Sequence, residues 1–237
     1  MTALQSQHEG ELTEDVSDLI FSLFGTAMHT VLERSGVGLQ EERLFTDICG
    51  WTVSGQFDYL DNDGIIWDWK TASVWEVTNG VKAERESQLN CYAHLASVNG
   101  IEVKGLRIGF ILRDWSKSKA KTEPGYPPFQ VMVYPIPLWQ HSDGQAYMEE
   151  RVKLHQAART TLPECTPEER WARPDSYAVT KTGNKRASKL FTNRNDADTD
   201  ALARGSGYTV TMRPGESTRC KFYCSVLPFC AQGQKLV

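Results

Sequence analysis

The segment GIIWDWKT, residues 64 to 71, places an aspartate and a lysine two positions apart in a run that is otherwise apolar, aromatic or small. Because the side chains of a strand alternate between its two faces, Asp68 and Lys70 point to the same face and begin roughly 7 Å apart. Asp58 lies in the preceding strand-like run, so a hairpin in the right register would bring its carboxylate beside Asp68. Two carboxylates repel each other and are costly to bury. A divalent metal between them would offset both the repulsion and the cost of burial. The alternative is a structural Asp–Lys pair at a sheet edge.

Three further side chains have chemistry that suits such a site. His29 lies in a mostly apolar helical stretch, where it is either a metal ligand or a core histidine with one hydrogen bond. An imidazole among oxygen ligands shifts the preference from Mg²⁺ toward Mn²⁺, although either ion could serve. Gln88 and Tyr92 are four positions apart on one face of a predicted helix, where they could contact the lysine, a water or a bound substrate, or form an ordinary polar stripe. Lys70 could orient or activate an attacking water, or stabilise charge that builds on a phosphate.

The hydrophobic pattern predicts the elements that must position these residues. Ser17 is a candidate N-cap for a helix over residues 17 to 33, which is apolar on almost every side and is therefore expected to be buried. Residues 51 to 60 and 65 to 74 are predicted to pair as a hairpin around the turn DNDG. The other predicted elements are a helix over residues 84 to 100, strands within residues 103 to 115 and 129 to 139, and a helix over residues 143 to 162.

Composition limits the class of protein. The chain has 237 residues, of which 40% are hydrophobic and 24% charged, so it can form one sizeable domain or a core with an appended lobe. No run approaches the roughly 18 apolar residues of a membrane span, and the acidic, polar start is unlike a signal peptide. We therefore expect no membrane association and a cytoplasmic location. The net charge of -4 argues against a generally basic coat for nucleic acid but does not exclude a local basic cleft.

Four motifs occur in order within residues 17 to 115. They are GTAMHTVLE with His29, GQFDYL with Asp58, DWK with Asp68 and Lys70, and QLNCYA with Gln88 and Tyr92. Together they resemble the PD-(D/E)xK nuclease superfamily, and within it the RecB-like exonucleases, which include the iron-sulfur nucleases associated with CRISPR systems and with phages. One D-x-K alone is weak evidence because it occurs by chance in many proteins, whereas the ordered set is specific. The resemblance implies an α/β, restriction-endonuclease-like core with a central mixed β-sheet flanked by helices.

The resemblance also implies roles for these residues. His29, Asp58, Asp68 and the backbone carbonyl of Trp69 are the expected metal ligands, and Lys70 is the expected catalytic lysine. The implied activity is hydrolysis of DNA phosphodiester bonds with Mn²⁺ or Mg²⁺, by an exonuclease acting on single-stranded ends in recombination, repair or phage DNA processing, with a phage-infected bacterial cell as one setting. A structure- or sequence-specific endonuclease on the same core is an alternative. A non-catalytic DNA-binding or scaffold protein is another, although it would not need to retain Asp58, Asp68 and Lys70.

The cysteines indicate a second metal site. Cys220, Cys224 and Cys230 lie within one short segment, and a closed metal site or a cubane cluster normally uses four thiolates. Cys165 lies in a loop after a predicted helix, whereas Cys91 falls inside a helix and Cys49 precedes the catalytic hairpin, so Cys165 is the chosen fourth ligand. The C-x3-C-x5-C spacing resembles the cluster-binding end of the iron-sulfur nucleases, which implies a [4Fe-4S] cluster, with Zn²⁺ as the alternative. The related CRISPR-associated nucleases take their first cysteine from near the N-terminus, and this chain has none there, so the fourth ligand stays open.

A basic stretch lies between the predicted core and the cysteine segment. Residues 176 to 195 contain basic residues and no acidic ones, in a chain that is acidic overall, and this suits a phosphate backbone, although a solvated charge run is the ordinary explanation. The basic residues are Lys181, Lys185, Arg186, Lys189 and Arg194. We expect three regions: a flexible leader over residues 1 to 16, a nuclease core over 17 to 162, and a cysteine-bound C-terminal lobe over 163 to 237 packed on the core.

Overall fold

The computed structural model describes residues 2–12, 19–33 and 38–237. They form a mixed α/β fold that divides into two compact units. The first unit spans Asp15–Ala157, and the second combines Met1–Glu14 with Ala158–Val237. Helix α1 (Thr2–Gln7) is part of the second unit, with Leu4 buried and His8 stacked on Phe229.

The first unit carries a central mixed sheet flanked by helices. Its helices are α2 (Ile20–Glu33), α3 (Val74–Thr78), α4 (Ala83–Val98), α5 (Lys117–Thr122) and α6 (His141–Ala157). Its strands are β1 (Leu39–Gln40), β2 (Arg43–Ile48), β3 (Trp51–Gln56), β4 (Tyr59–Leu60), β5 (Ile65–Ala72), β6 (Gly105–Leu112) and β7 (Val131–Ile136). The five-stranded sheet has the order β1-β4-β5-β6-β7, so β5 lies at its centre. Strands β5 and β6 are parallel, and the other neighbouring pairs are antiparallel.

The core lies around the two central strands. Ile66 on β5, Ile108 and Phe110 on β6 and Leu89 on α4 are almost fully buried and belong to one hydrophobic cluster. Along β5 the burial alternates from Ile65 to Asp68, as the period of two in the sequence predicts. The central strand therefore has one face in the core, and Asp68 lies on that face.

The predicted hairpin is only partly correct. The antiparallel pairing onto β5 is limited to β4, while β3 pairs with β2 in a separate two-stranded sheet. The reason lies in the turn between β2 and β3, where Cys49 and Gly50 have φ angles of 49° and 78° and Ile48 pairs with Trp51. A two-residue loop with both φ angles positive matches the twist of a hairpin. Strand β3 therefore pairs with β2, the strand that precedes it in the sequence, instead of with β5. Cysteine is an unusual residue for such a turn.

Helix α2 departs from the expectation of full burial. Gly25, Met28 and His29 lie against residues of β5 and β6, but Phe21, Leu23 and other apolar side chains on the remaining faces are more than half exposed. One face of a helix packs on a sheet, so an all-round apolar helix keeps solvent-facing apolar groups unless further elements cover them. The expected cap, Ser17, lies outside the described residues.

The second unit is smaller. Its strands are β8 (Ala172–Arg173), β9 (Ser176–Lys181), β10 (Lys189–Phe191), β11 (Tyr208–Arg213) and β12 (Glu216–Ser217), and its further helices are α7 (Arg194–Arg204), α8 (Thr218–Tyr223) and α9 (Ala231–Gln234). An antiparallel sheet of order β10-β9-β11 packs on α7 through Val179, Ala197 and Ala201. Short strands β8 and β12 pair separately. Among the helices of the described residues, none combines the length and the apolar character needed to cross a membrane.

A buried asparagine joins α4 to the segment after β7. The Asn90 side chain donates to the backbone carbonyls of Glu86 and Pro137, both at 2.9 Å, and accepts from the backbone N–H of Trp139 at 2.8 Å. We expect Asn90→Ala to lower the free energy of unfolding by about 2 kcal/mol, because the backbone groups that bond to the Asn90 side chain would lose their hydrogen-bond partner. Urea denaturation followed by circular dichroism measures the change. Ser97→Ala, at an exposed position of the same helix, is the control, and equal stability of the two variants would contradict the prediction.

Candidate metal centre

The turn between β4 and β5 sets the register of the site. The Asp61 carboxylate accepts from the backbone N–H groups of Asp63 (3.0 Å) and Ile65 (2.9 Å), and from the indole N–H of Trp67 (2.9 Å). Gly64 completes the turn with a φ of 80°, a conformation that side chains disfavour. Hydrogen bonds from both the turn and the strand lower the pKa of Asp61, so its carboxylate stays charged and holds the turn.

This register brings the two predicted carboxylates together. Tyr59 pairs with Trp67, so extending the ladder by one residue places Asp58 opposite Asp68. Asp58 does not continue the ladder, and instead its Oδ2 accepts from the backbone N–H of Trp69 at 2.6 Å. Asp58 is near enough to Asp68 for that carboxylate to act on it electrostatically.

His29 and Asp58 meet a residue that the sequence reasoning missed. His29 Nδ1 lies 3.4 Å from Asp58 Oδ1 and 3.7 Å from Glu41 Oε1. Within the described residues, this trio of side chains forms the one metal-capable group whose ligand atoms all lie within 4.8 Å of one another. The trio thus brings together α2, the connection between β1 and β2, and the residue before β4, and it adds Glu41 to the candidate ligands.

The chain holds Glu41 in place by two means. Its backbone N–H donates to the Asp58 carbonyl at 3.1 Å, and its Oε2 accepts from the Gln56 side chain, which in turn accepts from Arg43. Its φ of 49° is uncommon for a residue other than glycine. The sequence offers no local signal for this residue, because its position depends on the long-range pairing of Gln40 with Tyr59.

Asp68 and Lys70 form an ion pair on β5. Asp68 is only 1% exposed, and its Oδ1 accepts from Lys70 Nζ at 2.8 Å. Its second oxygen, Oδ2, is buried and has no hydrogen-bond partner among the described residues. A buried carboxylate oxygen without a partner is costly, so it marks a place for a ligand such as a cation. Asp68 lies outside the group formed by His29, Glu41 and Asp58, although it acts electrostatically on Asp58.

Burial and like charge together control the protonation of Asp58. Burial, reinforced by the nearby Asp68 carboxylate, raises the pKa of Asp58 to about 6, against the opposing effects of the Trp69 N–H, His29 and Lys70. A cation bound beside Asp58 would offset both effects and favour the ionised carboxylate. The donor set therefore fits a divalent metal, with carboxylate oxygens and one imidazole as its ligands.

Gln88 and Tyr92 lie on α4, one turn apart. The Gln88 amide donates to the Tyr92 hydroxyl at 2.7 Å. Burial raises the pKa of Tyr92, and the Asp68 and Asp58 carboxylates raise it further. The tyrosine is therefore within electrostatic reach of the acidic site, and it stays a neutral phenol that can donate a hydrogen bond.

The four chosen cysteines all belong to the second unit. Cys220 is buried on α8, Cys224 follows that helix, and Cys230 precedes α9 with its sulfur accepting from Gly233 N–H at 3.3 Å. Burial raises the pKa of Cys220, and Cys224, Cys165 and Cys230 raise it further, so the four thiols are electrostatic neighbours.

The backbone of Cys165 is tied to the C-terminal segment. The Gln232 side chain accepts from the Cys165 N–H at 2.8 Å and donates to the Cys165 carbonyl at 3.0 Å. Cys49 and Cys91 belong to the first unit.

The five basic residues predicted to contact DNA lie along one stretch of the second unit. Lys181 ends β9, Lys185 and Arg186 lie in the connection to β10, and Lys189 begins β10. Arg194 begins α7 and lies 3.6 Å from Asp198, which reduces its effective charge. Lys189 Nζ lies over the Phe191 ring, 4.6 Å from its centroid.

Comparison with known proteins gives distant likenesses alone. No family model and no curated protein matches the chain. The crystal structure of SSO0001 is similar, with 14% identity and a TM-score of 0.41 over 58% of this chain and 60% of that one. A candidate exonuclease from Eubacterium rectale is similar at 11% identity, with a TM-score of 0.38 over 68% of this chain and 62% of that one. Each likeness spans less than two thirds of the solved chain, so the function must be inferred from the site itself.

The Asp68–Lys70 pair leads to a stability prediction. Lys70→Met leaves Asp68 buried without its charge partner, and we expect the free energy of unfolding in chelator to fall by about 3 kcal/mol. The double variant Asp68→Asn with Lys70→Met removes the uncompensated charge and should recover at least half of that loss. Urea denaturation at pH 7 measures both.

The control for this experiment is Lys104→Met, which removes a lysine from an exposed pair with Glu102 at 3.7 Å and should change stability little. Equal destabilisation in the single and double variants would show that Asp68 does not depend on Lys70.

Proposed function

We propose that this chain is a divalent-metal-dependent nuclease of the RecB-like PD-(D/E)xK type. The observation that carries the proposal is the convergence of His29, Glu41 and Asp58 beside the buried Asp68–Lys70 pair. Phosphodiester hydrolysis needs an electrophile for the phosphate and a group that manages the attacking water. A cluster of oxygen and nitrogen ligands beside a lysine provides for both.

His29, Asp58, Asp68 and the Trp69 carbonyl would hold the cation, with Glu41 as an added ligand. Bound Mn²⁺ or Mg²⁺ would polarise the phosphate and lower the pKa of a water. The orphaned Oδ2 of Asp68 and the raised pKa of Asp58 support this donor set. Because Glu41 and His29 both approach Asp58, these side chains would fix the carboxylate before substrate arrives.

Lys70 would act on the substrate and the water. Its ammonium is held 2.8 Å from Asp68 and is partly exposed, so it can orient a water and stabilise charge that builds on a phosphate oxygen. Tyr92, kept neutral by its raised pKa, would donate a hydrogen bond from its hydroxyl to a water or to the DNA backbone. Gln88 would orient that hydroxyl through its 2.7 Å hydrogen bond.

The proposed substrate is DNA, and its proposed form is a single strand with a free end. The basic residues from Lys181 to Arg194 would contribute phosphate contacts that position the strand without reading its sequence. The family resemblance suggests a role in recombination, repair or phage DNA processing. An endonuclease on the same core remains the second candidate, and a non-catalytic scaffold is disfavoured because it needs neither a buried Asp68 nor its lysine.

We also propose a [4Fe-4S] cluster on Cys165, Cys220, Cys224 and Cys230. The proposal is supported by the C-x3-C-x5-C spacing, which resembles the cluster-binding end of the iron-sulfur nucleases, and by the effect of the other three thiols on Cys220. Zn²⁺ held by the same four thiolates is the alternative.

The nuclease proposal predicts metal-dependent loss of linear strands. End-labelled linear single-stranded DNA should be degraded with Mn²⁺ or Mg²⁺ and spared with chelator. Asp68→Asn and Lys70→Ala should each reduce the rate about 100-fold or more, while DNA binding stays within about threefold of the wild type. Glu41→Gln should raise the Mn²⁺ concentration needed for half-maximal cleavage about tenfold, as expected for a lost ligand contact.

Glu102→Gln, an exposed acid of the same unit, is the matched control and should cleave like the wild type. Full activity in pure Asp68→Asn protein would remove the proposed site. Closed circular single strands separate the two nuclease candidates, because an exonuclease leaves them intact and efficient cutting indicates an endonuclease.

The cysteine proposal predicts a coloured protein. Protein purified without oxygen should be brown, with broad absorption near roughly 400 nm and about four irons per chain. Replacing any of the four ligands by Ser should bleach it and lower the stability of the second unit, because a metal site adds folding energy only with its full ligand set.

Cys49→Ser and Cys91→Ser are the controls and should keep the colour. A colourless protein with one zinc would overturn the iron-sulfur assignment. A brown Cys165→Ser variant would show that another residue supplies the fourth ligand.

A further inference from the structure

The carboxylates of Asp58 and Asp68 each have one oxygen held by a donor of the chain. Asp58 accepts at Oδ2 from the Trp69 backbone N–H at 2.6 Å, and Asp68 accepts at Oδ1 from Lys70 Nζ at 2.8 Å. The other two oxygens face the site. Asp58 Oδ1 lies 3.4 Å from His29 Nδ1, and Asp68 Oδ2 is buried without a hydrogen-bond partner among the described residues. Each of these side chains therefore offers a single oxygen to a cation.

Glu41 repeats this arrangement. Its Oε2 accepts from the Gln56 side-chain amide, and its Oε1 lies 3.7 Å from His29 Nδ1. A carboxylate that binds a metal through both oxygens uses all of its inner lone pairs on the ion. Glu41 could bind in that way only if it gave up the hydrogen bond from Gln56.

The orientation of the Gln56 amide is fixed by Arg43. A glutamine amide has one accepting end and one donating end, and either end could be turned toward Glu41. Arginine can only donate, and Arg43 Nη2 lies 2.8 Å from Gln56 Oε1. The carbonyl end of the amide is therefore occupied by the guanidinium, and the amino end is directed to the carboxylate.

The hairpin of β2 and β3 places this donor. Arg43 and Gln56 are directly opposite each other in its ladder, so their side chains lie on the same face. Arg43 also donates to Ser54 Oγ at 3.2 Å, one step along that face. The separate two-stranded sheet thus holds the amide at a fixed place beside Glu41, which lies two residues before Arg43 in the chain.

We propose that Gln56, oriented by Arg43, is a positioning residue that limits Glu41 to one metal bond and makes the centre favour a small six-coordinate ion over Ca²⁺. Ca²⁺ takes roughly six to eight ligands and readily binds both oxygens of a carboxylate, whereas Mg²⁺ requires a near-octahedral set. One oxygen from each of the three carboxylates and the His29 nitrogen leave room for waters to complete an octahedron. The imidazole adds a preference for Mn²⁺. The inference rests on the proposed function for the identity of the metal ligands, and it adds how the chain selects the ion.

The test measures the affinity of the full-length protein for Mn²⁺ and Ca²⁺ without DNA. The electron paramagnetic resonance signal of free Mn²⁺ reports Mn²⁺ binding, and competition with Mn²⁺ reports Ca²⁺ binding. Binding that survives in Asp58→Asn occurs at other groups and is subtracted. Gln56→Ala should weaken Mn²⁺ binding about tenfold, as expected when a hydrogen bond to a metal ligand is lost. It should not weaken Ca²⁺ binding, because the freed Oε2 of Glu41 gives the larger ion a second contact.

Two further variants support this comparison. Gln145→Ala is the matched control, because Gln145 also donates its amide to a glutamate, Glu149, at 2.9 Å, on an exposed part of α6. It should leave both dissociation constants unchanged. Arg43→Met keeps Gln56 but releases its amide, so it should lower the preference for Mn²⁺ over Ca²⁺ in the same direction and by a smaller factor.

The ratio of the two dissociation constants decides the outcome. An equal loss of affinity for both ions in Gln56→Ala would mean that Gln56 supports only the local fold, and it would overturn the proposal. A wild-type protein that binds Ca²⁺ as tightly as Mn²⁺ would do the same. Cleavage of linear DNA is measured in parallel. A shifted ratio in a protein that cleaves nothing would support the ion selection and refute the nuclease, whereas cleavage with an unchanged ratio in Gln56→Ala would refute the ion selection alone.

Discussion

The burial of a charged carboxylate at the centre of the sheet is the constraint on which the rest of the first unit depends. Asp68 is 1% exposed on the middle strand, and an isolated ionised group in such a position would be strongly destabilising. Lys70 donates a hydrogen bond to one carboxylate oxygen of Asp68, and the other oxygen has no hydrogen-bond partner in the described residues. The proposed cation would compensate this second oxygen, so the metal proposal also accounts for how the buried carboxylate is tolerated.

The surrounding sheet limits where these charges can lie. Because Trp69 follows Asp68 on the same strand, its ring must lie on the opposite face, where it crosses Gly109 of β6. A Cβ added at Gly109 would lie 2.3 Å from the Trp69 ring, so glycine at this position permits the packing. The same strand order fixes the Trp69 N–H toward Asp58, and the carboxylate pair is thereby set by backbone geometry rather than by flexible side chains.

Sequence reasoning reached the parts of the site that local patterns encode. The period of two along β5 placed Asp68 and Lys70 on one face, and the Asp-Gly turn gave the β4–β5 register. It missed Glu41, whose position follows from a two-residue strand pairing across the sheet that no local pattern reveals. It also assigned β3 to the wrong partner. The Cys49–Gly50 turn has two positive φ angles, and a cysteine in the first of these positions is not a sequence signal for a hairpin turn. A residue whose position depends on pairing between strands far apart in the sequence therefore cannot be predicted from local patterns in one sequence.

Helix α8 depends on its surroundings for its orientation. A six-residue helix has too few hydrogen bonds to be stable alone, so tertiary contacts must hold it. Its Cys220 is buried and is an electrostatic neighbour of Cys165, Cys224 and Cys230, whereas Phe222 and Tyr223 on the same helix are exposed. If these thiols hold the proposed metal group, the bonds to Cys220 would fix the buried side of the helix and thereby the direction in which its exposed side chains point.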